Sequence, residues 1–137
     1  MASWLIFAAS CVGFWGIWGF VAKLTTMRGV HPLALSAVSS ITAGLTAWAT
    51  FYVIGAPWEK NGGSIMFALL TGICGSAGAI SFFLALQRGR ASLVVPLSAL
   101  YPAVTILLSL FFLGERPTLT QALGMLLALI ASLLLGM

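Results

Sequence analysis

Polar chemistry is sparse in this chain. Its 137 residues hold one histidine, two acids, two cysteines and six lysines or arginines. No nucleophile–base arrangement, metal-ligand spacing or phosphate-cradling loop can be assembled from them. Neither an enzyme, a metal site nor a cofactor is expected. What remains is a short set of residues suited to holding a solute inside a membrane. Pro96 and Pro102 interrupt one apolar run, with Ser98 and Tyr101 between them. Proline removes a backbone donor and clashes with the carbonyl one turn back, so a helix bends or opens there. In lipid this is tolerated where the freed carbonyls are buried in protein or face a water-filled cavity. The freed carbonyls and the hydroxyls of Ser98 and Tyr101 are therefore expected to line a polar cavity, against the plainer reading of a tolerated kink.

Trp15 and Trp18 lie three residues apart and share one helix side. Two readings stand open for them: stacking on a solute or holding a cation over the rings, and packing against the glycines of a neighbouring helix. Ser36, Ser40 and Gly44 recur every four residues as a small, weakly polar stripe, with Ser40 the solute-facing candidate. Glu115 and Arg116 read first as a charged interfacial corner, the acid sitting near the positive end of the last helix. Lys23 reads first as a snorkelling residue at a helix end and second as a solute contact. His31 precedes Pro32 and reads as an interfacial residue. Cys11 and Cys74 fall inside apolar runs and read as small buried apolar side chains.

The elements that must position these residues follow from composition. The chain is 61% hydrophobic and 6% charged, against about 25% charged in a soluble domain. Its mean hydropathy is +1.15. An all-α integral membrane protein is expected, since crossing the hydrocarbon takes about 20 apolar residues in helix. Five runs qualify: residues 3–22, 32–55, 64–86, 92–113 and 118–136. Pro32 suits the first turn of the second helix, residues 57–63 form a polar turn, and Gly89 reads as the C-cap of the third helix. Thr118 and Gln121 have capping-box spacing. All of residues 1–137 read as one transmembrane domain. The first basic residue, Lys23, follows the first apolar run, so a cleavable signal peptide is not expected.

Lys23, Arg28, Arg88 and Arg90 fall on one side of such a bundle, and Lys60 and Arg116 on the other, each beside an acid (Glu59, Glu115). The basic residues are thus topology signals, with no nucleic-acid partner implied. Four against two places the N-terminus outside and the C-terminus in the cytoplasm, in a bacterial inner membrane, with a margin narrow enough to accommodate dual topology. In the last helix Gly124, Ala128, Ser132 and Gly136 recur every four residues. Small residues at that interval let helix backbones approach closely in lipid, so this stripe is read as a dimer-packing face.

Residues 89–136 resemble the second half of the EamA domain of the drug/metabolite transporter superfamily. The resemblance rests on Arg90-Ala91-Ser92, Val95-Pro96-Leu97, Tyr101-Pro102 and Leu113-Gly114-Glu115-Arg116, followed by a Leu/Gly/Ala-rich helix with Gln121, Leu123 and Gly124. Trp15-Gly16, Phe20-Val21-Ala22-Lys23 and Ser81-Phe82-Phe83-Leu84-Ala85-Leu86 are similar to the earlier helices of that family. The resemblance implies transport of a small metabolite or drug-like solute across the lipid bilayer by alternating access. Most members carry two five-span repeats of opposite orientation, whereas one repeat is seen here. A path built at a repeat interface therefore calls for a second copy, as a homodimer that can be antiparallel, or for a related five-span partner. The small multidrug resistance family, similar to this superfamily, relies on an intramembrane carboxylate shared by protons and substrate. No Asp or Glu lies inside any apolar run here, which argues against that mechanism.

Overall fold

In lipid the backbone finds hydrogen-bond partners only within itself, and a single apolar segment can satisfy that demand only as a helix. The computed structural model describes residues 4–57 and 62–136, and every regular element among them is helical. The helices fall into two units, Met1–Arg88 and Gly89–Met137.

The first unit holds α1 (Trp4–Met27), α2 (Pro32–Ile54) and α3 (Gly62–Arg88). α1 continues past residue 22, with the Thr25 and Thr26 hydroxyls donating back to the carbonyls of Val21 and Lys23. Gly29, at φ +81°, makes the turn that follows. Pro32 occupies the first turn of α2, and His31 caps it, its Nδ1 accepting the Leu33 N–H at 3.3 Å. His31 is thus a capping residue as well as a residue at a helix start. Gly55 closes α2 in the left-handed conformation (φ +66°), its N–H donating to the Phe51 and Tyr52 carbonyls. Glu59 and Lys60 lie outside the described residues. Gly89 follows α3 without a positive φ, so the expected left-handed cap is corrected. Arg90 instead takes extended backbone (φ −73°, ψ 136°) as the N-cap of the next helix, which ends α3 without a left-handed residue.

α3 packs against both α1 and α2. The fully buried residues are Gly19 and Ala22 near the end of α1, Pro32 and Ser36 at the start of α2, and Phe83 and Leu86 near the end of α3. All six gather at the same end of the three helices. At the opposite end Phe7 is 74%, Val53 87% and Phe67 67% exposed. The core of this unit therefore lies at one end. Cys11 and Cys74, expected to be buried, are free and exposed. They sit away from that end, where the helices have little to pack on but lipid.

The second unit holds α4 (Ala91–Ser98), α5 (Tyr101–Leu108), a π-helical turn (Ser109–Leu113) and α6 (Leu119–Gly136). Ala91–Leu113 forms one apolar stretch of 23 residues, interrupted at Ala99 and Leu100. The π turn ends on Gly114, at φ +66°, and the amides of Gly114 and Glu115 both donate to the Ser109 carbonyl. α6 opens with the expected capping box: Thr118 N–H donates to Gln121 Oε1 (2.9 Å), and Gln121 N–H to Thr118 Oγ1 (3.3 Å). α4 packs on α6, yet no described residue of this unit is fully buried.

Four stretches, α1, α2, α3 and Ala91–Leu113, are long and apolar enough to cross a membrane. α6 is a shorter apolar helix of 18 residues, about 27 Å long against a hydrocarbon layer of about 30 Å. The chain is a multi-pass membrane protein.

Candidate functional site

The interrupted helix of the second unit comes first. Pro96 and Pro102 cannot donate to the carbonyls of Ser92 and Ser98, one turn back. Between them the bonding tightens: Leu100 N–H donates to the Leu97 carbonyl (3.1 Å) and Ala103 N–H to that of Leu100 (3.0 Å), each three residues back. The backbone is thus reorganised over a whole turn. Pro96 is half-buried, while Ser98, Tyr101 and Pro102 are exposed, so the hydroxyls of Ser98 and Tyr101 do not enclose a cavity within their own unit.

One turn further on, α5, the π turn and the start of α6 leave a cleft of about 550 Å³. It is lined by the charged Glu115 and Arg116, by Thr105, Ser109 and Gln121, and by the apolar Ile106, Leu110 and Met125. Gln121 spends its oxygen on the capping box, which leaves its amide NH₂ as a donor. The Ser109 carbonyl takes the amides that end the span. π turns recur at functional positions because they widen the helix and redirect one side chain. Glu115 and Arg116 follow the Gly114 turn and line this cleft. Thr105, Ser109 and Met125 are not singled out by the sequence, and Gln121 is singled out there only for its capping-box spacing and family resemblance. Their signal is two i, i+4 pairs that face each other once the chain reverses at the corner.

In the first unit Trp18 stacks on Phe82 (centroids 5.2 Å apart, planes at 14°) and meets Phe83 at 5.3 Å, tilted by 48°. Trp18 thus meets phenylalanines of α3 where the packing reading expects glycines. Trp15, one turn away, is 57% exposed. A Cβ at Gly13 or Gly16 would meet nothing within 4 Å, and one at Gly19 would sit 3.9 Å from Phe82 Cζ. Lys23 Nζ donates to the Leu86 carbonyl at 2.8 Å in a partly buried setting, which caps the last turn of α3. Ser36 is buried, and Ser40, one turn on, is exposed. The hydroxyls of Thr42, Thr46, Thr50, Thr71 and Ser81 each donate to the carbonyl four residues back. That bonding makes an exposed hydroxyl compatible with lipid.

On α6, Met125, Leu129 and Ser132 are half-buried and form the face turned into the unit, whereas Gly124 and Ala128 are exposed. A Cβ at Gly124 would meet nothing within 4 Å. Gly136 is the last residue of the helix. Among the described residues, no three of His, Cys, Asp and Glu gather as a metal site would require.

The chain is 39% identical over 72 residues to an uncharacterized protein of Methanocaldococcus jannaschii. The match covers 53% of this chain and 53% of that protein, so it spans about half the length of each. No solved structure matches the chain. A family model described as the EamA-like transporter family matches residues 2–137. With that match over helices interrupted and capped as above, the chain belongs to the EamA-like transporter family.

Proposed function

We propose that the chain is a subunit of a membrane transporter that moves a small polar or amphipathic solute by alternating access. The interrupted stretch Ala91–Leu113 is its moving element. The observation that carries this reading is the break at Ala99–Leu100 between two prolines, in a stretch otherwise long enough to span. A helix already opened there can bend without first losing regular hydrogen bonds, which lowers the cost of switching between two arrangements. The cleft beside the corner supports an amphipathic solute, since charged, neutral polar and apolar side chains all line it. Trp15, Ser40, Ser98 and Tyr101 are exposed and are proposed to face the path once a second copy of the chain is present.

The working form is proposed to be a homodimer of five-span units in the cell membrane, with α6 as the fifth span. Support comes from the absence of buried residues among those described in the second unit and from the exposed Gly124 and Ala128 on α6. The two copies can be antiparallel, in keeping with the narrow charge bias; for a single orientation the charges favour an outside N-terminus.

The test is flux. Purified protein in proteoliposomes is given a panel of small metabolites, and uptake and efflux are followed. Accumulation of at least one class of solute is expected. Folded dimeric protein that moves nothing, and that purifies from native membranes with a stoichiometric unrelated partner, identifies instead a non-transporting subunit.

A further inference from the structure

We propose that Lys23 is a clasp that holds one end of the α1–α3 unit shut. The one-ended core of that unit and the bond across it carry this inference. Gly19, Ala22, Pro32, Ser36, Phe83 and Leu86 are the buried residues, and all lie at the end where α1 finishes, α2 begins and α3 finishes. At that same end the Lys23 ammonium reaches across to the Leu86 carbonyl, 63 positions along the chain. The acceptor belongs to the last turn of α3, where unpaired carbonyls and the helix dipole concentrate partial negative charge. A cation placed there is held more strongly than a neutral donor, and more strongly still where water is partly excluded. Just inside it, Trp18 lies flat on Phe82 and against Phe83. The aromatic contact between α1 and α3 is thus backed by a charged bond between the same two helices.

Lysine is suited to this by its length. Its stem passes along the apolar surface while the ammonium stays at the membrane edge, so the bond can be made and released without carrying a charge into hydrocarbon. Arg28, Arg88 and Arg90 belong to the same end by sequence, yet the bond that ties α1 to α3 there comes from Lys23. Clasp release then frees α1 from α3 at the basic end, where the buried residues among those described gather. Calling this clasp a gate rests on the transport reading above; the closure itself does not.

Ser36, 5% exposed at the packed end, is the reporter. In full-length protein carrying Cys11→Ala, Cys74→Ala and Ser36→Cys, reconstituted in bilayers, the rate of modification by a membrane-impermeant thiol reagent is measured. Lys23→Met is expected to raise that rate by about tenfold or more, the scale set by losing a hydrogen bond from a charged group. Lys23→Arg, which keeps a charged donor, is expected to stay near the parent rate, and so is Arg28→Met. Equal protection in the parent and in Lys23→Met overturns the clasp, as does an equal rise with Arg28→Met. If Lys23→Met does not give folded protein, Lys23→Gln is read instead: a rate between parent and fully open supports the clasp, and the parent rate overturns it. Solute flux is recorded in the same vesicles. Altered protection without flux in any variant leaves the clasp standing and removes the transport reading; flux with unaltered protection does the reverse.

Discussion

Closing the break in Ala91–Leu113 is the most direct perturbation of the proposed moving element. Alanine at 96 and 102 restores two N–H donors, one for the Ser92 carbonyl and one for that of Ser98. Pro96 lies inside α4, where proline costs about 3 kcal/mol relative to alanine through its lost bond and its ring clash. Pro102 lies in the first turn of α5, a position that tolerates proline. Its replacement contributes little beyond one hydrogen bond, about 1 kcal/mol net. Together the substitutions favour a continuous helix by roughly 4 kcal/mol, about three quarters of it from Pro96. At about 1.4 kcal/mol per tenfold, Pro102→Ala alone shifts the balance about fivefold and Pro96→Ala by more than a hundredfold. The assay pairs initial flux in proteoliposomes, at matched protein insertion, with thermal denaturation in detergent. Stability should rise and flux fall in the order Pro102→Ala, Pro96→Ala, double variant. A rise in stability with unchanged flux would refute the role of the break in transport; a fall in stability would show that surrounding packing requires the kink.

Three further outcomes bear on the fold. Phe83→Ala removes a side chain of 0% exposure from the single packed end of its unit and should destabilise the protein by about 3 kcal/mol, seen as a large drop in detergent melting temperature. An effect well under 1 kcal/mol would mean that the packed end does not hold the unit together. Thr118→Ala should cost α6 about 1 kcal/mol by deleting half of its capping box, read as faster hydrogen exchange of the first amides of that helix, whereas Thr118→Ser should keep its protection. Gly124→Leu combined with Ala128→Leu fills the uncovered stripe on α6 and should weaken cross-linking between copies in bilayers; cross-linking at the parent level would move the dimer contact to another helix.

Features whose cause is local were legible in the sequence. The all-helical build, with its four span-length apolar stretches and a shorter apolar helix, follows from composition, because length and hydropathy decide what a lipid-embedded backbone does. Pro96 and Pro102 announced the interrupted stretch, and Thr118 with Gln121 announced the cap, since each motif acts within one turn. Gly89 misled because a glycine after a helix ordinarily signals a left-handed cap, while here Arg90 was already committed to extended backbone at the start of α4. The cysteines misled for another reason. In a unit whose buried described residues gather at one end, an apolar position inside a span says nothing about whether protein or lipid covers it.

The site was harder to read because its key partners are not side chains of a telling type. Lys23 reads from sequence as a snorkelling residue at a helix end; what sequence does not encode is that its ammonium reaches a backbone carbonyl of another helix. Every residue carries a carbonyl, so no pattern marks Leu86 as an acceptor. It becomes one because α3 ends there and leaves its last carbonyls without partners. The cleft has the same origin. Thr105, Ser109, Gln121 and Met125 are unremarkable until the π turn and Gly114 reverse the chain and bring their faces together. Both features arise where a helix ends, since that is where a membrane helix has backbone polarity to spare. In a chain with two acids, neither inside an apolar run, those helix ends are a source of fixed polarity beside the apolar stretches. The polar contacts of any transport cycle here must then be drawn from helix termini and breaks more than from buried ionisable side chains.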